Sequence, residues 1–93
     1  MSQRPPIDLE THSGSTTVLI GGSASEPERL LLIARPENGV VRVREWTSAD
    51  WSATPDERDS PVESLYEEIE YAAKSGRTIT LDLATLRHFL GLR

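Results

Sequence analysis

Apolar residues return every three or four positions over one stretch of the chain. Val62, Leu65, Tyr66, Ile69, Ala72 and Ala73 superpose on one helical face, and Glu63, Glu67, Glu68, Glu70 and Lys74 fall mostly off it. The spacing predicts an amphipathic helix from Pro61 to Ser75. Both ends are signalled: Ser60 suits the N-cap, with Glu63 placed to reach back to it, Pro61 suits the first helical position, and Gly76 supplies a left-handed residue to close the helix.

Upstream the period shortens to that of strands. Thr16 to Ile20 is a largely β-branched run that ends at Gly21-Gly22, and Gly21 to Glu28, interrupted by Pro27, reads as a loop. In Arg29 to Ala34 the apolar residues Leu30-Leu31-Leu32-Ile33 are consecutive, which predicts a strand covered on both faces and therefore central. Pro36-Glu37-Asn38-Gly39 is a turn. Asn38-Gly39 suits a two-residue hairpin, and the same residues suit a type I turn with a glycine bulge, so the register stays open by one residue. The return strand, Val40 to Trp46, alternates Val41 and Val43 against Arg42 and Arg44, giving one wet face. Strict alternation puts Trp46 on the arginine side, beside a possible cation–π partner in Arg42 or Arg44; a bulge would turn it inward.

The segment Thr47 to Asp59 is polar and contains Trp51 and Pro55. Its composition argues against a regular strand and for a connection with a short helical turn capped by Ser48. After the main helix, Arg77 to Leu81 alternates as a strand with Ile79 and Leu81 inward. Asp82 then caps a last helix, Leu83 to Leu90, whose buried side is Leu83, Leu86, Phe89 and Leu90 and whose end is Gly91.

These elements predict an α+β fold, a small antiparallel sheet of three or four strands with two helices in the order β-β-β-α-β-α. Residues 1–15, polar and with Ile7 and Leu9 as their apolar members, read as a flexible N-terminal tail, and residues 16–93 as one α+β domain. Hydrophobic residues make up 37% of the 93, enough for one small core diluted by polar loops. No cysteine is present, which removes disulfides and thiol nucleophiles, and the longest apolar run is far too short to span a bilayer. A cytoplasmic location is the expectation.

Charge changes the picture more than composition does. The net charge is −5, which argues against a nucleic-acid or anionic-membrane binder. From Glu45 to Glu70 nine acids stand against Arg58, a local charge of −8, whereas Arg29 to Arg44 holds four arginines against Glu37, a local charge of +3. The plain explanation is a pair of solvated faces that attract one another within the fold; the sharper one is a surface for a basic partner.

Catalytic chemistry finds little support. His12 and His88 are isolated, and no spacing puts two metal ligands on one face. The glutamates of the main helix lack the apolar setting that raises a carboxyl pKa for acid catalysis. Gly21-Gly22-Ser23-Ala24-Ser25 has no lysine and no helix behind it, so it fails as a phosphate cradle. No cofactor or metal is called for. The sequence instead suggests a non-enzymatic interaction module that binds a basic protein, as an inhibitor, immunity-like protein or accessory subunit. Trp51 would be the apolar anchor, and Asp56, Glu57, Asp59, Glu63, Glu67 and Glu70 the steering surface. The alternative from another class is a small enzyme or ligand-binding domain with a pocket between sheet and helices, using Tyr66, Tyr71 or His88. A DNA-binding regulator is a third choice, weakened because a strand separates the helices and only Arg87 and Arg93 lie on or after the last one. A monomer is compatible with all of these, and so is a homodimer paired through a free edge of Val40 to Trp46, although Arg42 and Arg44 oppose such pairing.

Overall fold

A computed structural model describes residues 14–23 and 26–92. It is an α+β fold with β1 (Ser15–Ser23), β2 (Glu26–Ala34), β3 (Val40–Thr47), β4 (Asp56–Pro61), α1 (Val62–Lys74), β5 (Thr78–Ile79) and α2 (Leu83–Leu90). The sheet has five antiparallel strands in the order β4-β3-β2-β1-β5. The expectation of three or four strands is therefore corrected to five, and the element order to β-β-β-β-α-β-α. The expected tail lies outside the described residues except at its end, where Ser15 already pairs with Ala34 in β1.

The additional strand is β4, from the segment judged too polar for one. It has no apolar alternation and is held by charge pairing with its neighbour strand instead. Arg42 pairs with Asp59 and Arg44 with Glu57 across β3 and β4, so on the face away from the helices these two cross-strand pairs join opposite charges. The segment expected as a loop between the first two strands is also shorter, because β1 and β2 run on through a bulge at Gly21. Around Ser48 the chain makes turns and no helix; the Ser48 N–H is donated to the Glu28 carbonyl at 2.9 Å, tying the connection to β2.

The Asn38-Gly39 turn takes the two-residue form: both residues have positive φ, 54° and 76°, and Glu37 and Val40 exchange backbone bonds of 2.8 and 3.0 Å. One extra residue on the β2 side, between Ile33 and Glu37, shifts the β2–β3 ladder by one from the register that turn alone would give, so that Ile33 faces Val43. The start of α1 differs from expectation. Pro61 is its cap residue, no side chain caps it, and Ser60 pairs with Val41 as part of β4, its hydroxyl donating to the Pro61 carbonyl at 3.2 Å. Strand pairing thus holds Ser60 away from the reciprocal bond with Glu63, and Val62 donates its N–H to the Gly39 carbonyl at 3.0 Å. Gly76, at φ 92°, closes the other end as the sequence indicates.

At α2 the signals hold at both ends. Asp82 accepts from the Thr85 N–H at 2.8 Å and from its hydroxyl at 2.9 Å, and these bonds hold its carboxyl below the usual range; Gly91 ends the helix at φ 75°. Asp82→Ala should lower the thermal midpoint by roughly 5 °C, the expected loss for an N-cap in a domain of this size, and Asp82→Asn should recover most of it. Differential scanning calorimetry of the two variants decides the point.

Both helices lie on one face of the sheet. There Val18, Ile20, Leu31, Ile33, Val41 and Val43 meet Val62, Leu65 and Ile69 of α1 and Leu86 and Leu90 of α2, all buried. The other face is covered only in part: Leu19, Leu30 and Trp46 pack beneath Trp51, which folds over from the β3–β4 connection. Leu30 to Ile33 is thus covered on both sides except at Leu32, which is half-buried.

Candidate functional site

Successive turns of α1 set Glu63, Glu67 and Glu70 along one solvent-facing line, because residues three and four apart in a helix are neighbours. α2 runs beside that line. Between the two helices lies a groove of about 320 Å³ lined by Glu63, Tyr66, Glu67, Glu70, Arg87 and Leu92. Tyr66 is its aromatic wall, and the Arg87 guanidinium sits 5.7 Å from the ring centroid. Glu70 is 3.8 Å from Lys74, one turn on. Glu63 and Glu67 have no ion-pair partner among the described residues. The groove therefore carries three carboxylates against one lining cation, Arg87, beside an aromatic and an aliphatic side chain, a setting that suits a cation carried on an apolar stem.

The other predicted site residues are placed elsewhere. Glu57 and Asp59 are bonded to Arg44 and Arg42 at 2.7 and 3.1 Å, on the sheet face away from the helices. Asp56 is 3.9 Å from Arg58 and highly exposed. Trp51 is 8% exposed and packs on Leu19 and Leu30, so its ring holds the connection down and does not project toward a partner. Trp46 is half-buried in the same cluster, on the arginine side as alternation requires; among the described residues the cation–π contact belongs to Arg87 and Tyr66. The structure thus joins Glu63, Glu67 and Glu70 and separates them from Trp51, Asp56, Glu57 and Asp59. Tyr71 is 74% exposed and His88 is also exposed, so they share no enclosed pocket with Tyr66. The edge of Val40 to Trp46 proposed for a homodimer is not free, since β3 is paired on both sides.

A second charged group went unpredicted. Arg29 grips Glu45 with two bonds of 2.7 and 3.0 Å and reaches Glu68 at 2.6 Å, while Arg58 donates to Glu45 at 3.0 Å and to Glu68 at 3.3 Å. The four side chains come from β2, β3, β4 and α1 and lie on the helix side of the sheet. Burial pushes the Glu45 carboxyl up, but the hydrogen bonds and charges of Arg29 and Arg58 outweigh it and hold it below the usual range. The hydrogen bonds that Arg29 donates to Glu45 are the main cause that raises its guanidinium. The sequence did carry a signal for this group: Glu45 follows a run of arginines and Arg58 stands alone among acids, each an odd charge in its neighbourhood.

Comparison with protein-family models, with curated proteins and with solved structures returns no match. No described helix is long and apolar enough to cross a membrane.

Proposed function

We propose that the protein is a non-enzymatic interaction module that captures a basic segment of another protein in the groove between α1 and α2. The observation that supports this is the set of Glu63, Glu67 and Glu70 on one groove, two of them without an ion-pair partner among the described residues, beside Tyr66, Arg87 and Leu92. A lysine or arginine of the partner would lay its aliphatic stem against Tyr66 and Leu92 and its charge among the carboxylates, while Arg87 at the Tyr66 wall favours an approach from the glutamate side. The exposed acids of β4 add to the negative field that steers such a partner, although Glu57 and Asp59 are already engaged with arginines. An inhibitor of a basic protein, an immunity-like protein or an accessory subunit would each work this way.

The test is a capture experiment from native extract at low and high salt, comparing the wild type with a Glu63→Lys, Glu67→Lys, Glu70→Lys variant. A basic protein should be retained by the wild type at low salt and released at high salt. The variant should bind it at least about tenfold more weakly, with association slowed more than dissociation is accelerated. Equal retention by both, or retention that ignores salt, removes the proposal.

A further inference from the structure

The two margins of the sheet are built in opposite ways. The β4 margin is short, carries Asp56, Glu57, Arg58 and Asp59, and ends in Pro61, all features that keep an edge from pairing. The β1 margin has none of them: β1 contains no charged residue, and Thr16, Thr17 and Val18 are β-branched. β5 covers β1 only at Ile20 and Gly21. Thr80 extends the cover by one residue, its N–H donating to the Leu19 carbonyl at 3.1 Å and its hydroxyl accepting from the Leu19 N–H at 2.9 Å.

Backbone groups of alternate residues point to opposite sides of a strand. The N–H and C=O groups of Thr17 and Ser15 therefore point the same way as those of Leu19, away from β2. Among the described residues nothing pairs with them. The outer edge of β1 from Ser15 to Val18 is thus an unpaired, uncharged strand beside a completed one.

We infer that this edge pairs with the same edge of a second copy of the chain, antiparallel about a two-fold axis at Thr16. In that register Ser15 of one copy faces Thr17 of the other at both ends of the pairing. Each such pair exchanges two N–H to C=O bonds, so the outward groups of both residues in both copies are used, and Thr16 faces its own counterpart as a non-hydrogen-bonded pair. The register is self-complementary, as a closed dimer requires, and it stops where β5 begins. Charge favours this margin over the other. Copies with a net charge of −5 repel, and pairing through β4 would bring Asp56, Glu57 and Asp59 against like charges, whereas β1 sets no charge against charge. The two sheets become one of ten strands. The contact is small for a protein interface, so the dimer is weak and concentration-dependent. This surface is separate from the groove between the helices, and either can fail without the other.

Sedimentation velocity of the whole chain over roughly 10 μM to 1 mM should show a rising dimer fraction. Thr17→Pro removes an outward N–H in each copy and no bond to β2, so it should weaken the dimer at least about tenfold with the circular dichroism spectrum unchanged. A second variant makes the result independent of how well that proline is accepted. Thr16→Cys gives the chain its one cysteine, and two such residues at the axis lie within disulfide reach, about 4.5 Å between Cα atoms. Mild oxidation should link the native protein into dimers and leave a urea-unfolded sample at the same concentration largely unlinked. A chain that stays monomeric over the whole range and cross-links no better native than unfolded overturns the inference. So does a dimer that a folded Thr17→Pro leaves equally tight.

Discussion

Gly21→Ala should destabilise the domain by about 3 kcal/mol, seen as a lower urea midpoint with an unchanged slope. The cause is space. Gly21 sits at the bulge where β1 shifts register against β2, and a Cβ built there would run into the backbone of the facing strand, against the Glu26 carbonyl oxygen and at 2.8 Å from the Pro27 Cα. Neither atom belongs to a flexible side chain, so relief requires the two strands to part and their ladder to weaken. Gly22 is the internal control. A Cβ at that neighbouring position meets nothing within 4 Å, so Gly22→Ala should change stability by less than about 0.5 kcal/mol. Equal effects at the two positions would contradict the close approach.

Glu45→Ala is the other large effect, about 2 kcal/mol at pH 7. The substitution removes three hydrogen bonds to guanidinium groups and leaves Arg29 and Arg58 to share Glu68, with Asp56 at 3.9 Å as the other carboxylate near Arg58. The figure stays below the 3–5 kcal/mol of a fully buried pair, because side-chain exposure is 30% at Arg29 and 31% at Arg58 and water screens what remains. The pH dependence has a definite sign. Glu45 titrates lower in the folded chain than its ordinary value of 4.5, so its stabilisation is complete above that value and is lost as the pH falls through the lower folded one. Urea midpoints measured from pH 7 down to about pH 3 should fall less steeply in Glu45→Ala than in the wild type, and the gap between the two proteins should narrow at the acid end. A gap that widens on acidification would show that Glu45 is not held ionised by the arginines.

The parts of this fold that were legible in the sequence are those whose signals are local. Asp82 and Gly91 bracket α2 because a cap needs only its own turn, and Asn38-Gly39 names its hairpin because positive φ at two successive residues suits few others. β4 escaped because strands are recognised by alternating hydropathy, whereas Glu57 and Asp59 pair with charges, Arg44 and Arg42, that lie on another strand. Ser60 misled for a related reason. Its composition suits a cap, but pairing with Val41 claims the residue for the sheet. In the candidate site, helical spacing alone aligned Glu63, Glu67 and Glu70. Arg87 and Leu92 enter the groove through the way α2 crosses α1, which no spacing within either helix encodes. The position of Trp51 depended on whether the connection folds back over the sheet, where its ring packs on Leu19 and Leu30 and the Ser48 N–H bonds the Glu28 carbonyl.

The strand order has a consequence for how the chain reaches its native state. From β4 to β1 each strand neighbours the one next to it in sequence, so those pairings close short loops at little entropic cost. The pairing of Ile20 with Ile79 is different, since it draws together segments about 60 residues apart. That step has a reward only after the hairpins and α1 have formed a surface for Ile79, Leu86 and Leu90 to join. On loop-closure cost alone, the meander and α1 are local structure, and the segment from Thr78 to Leu90 is the part whose docking depends on them.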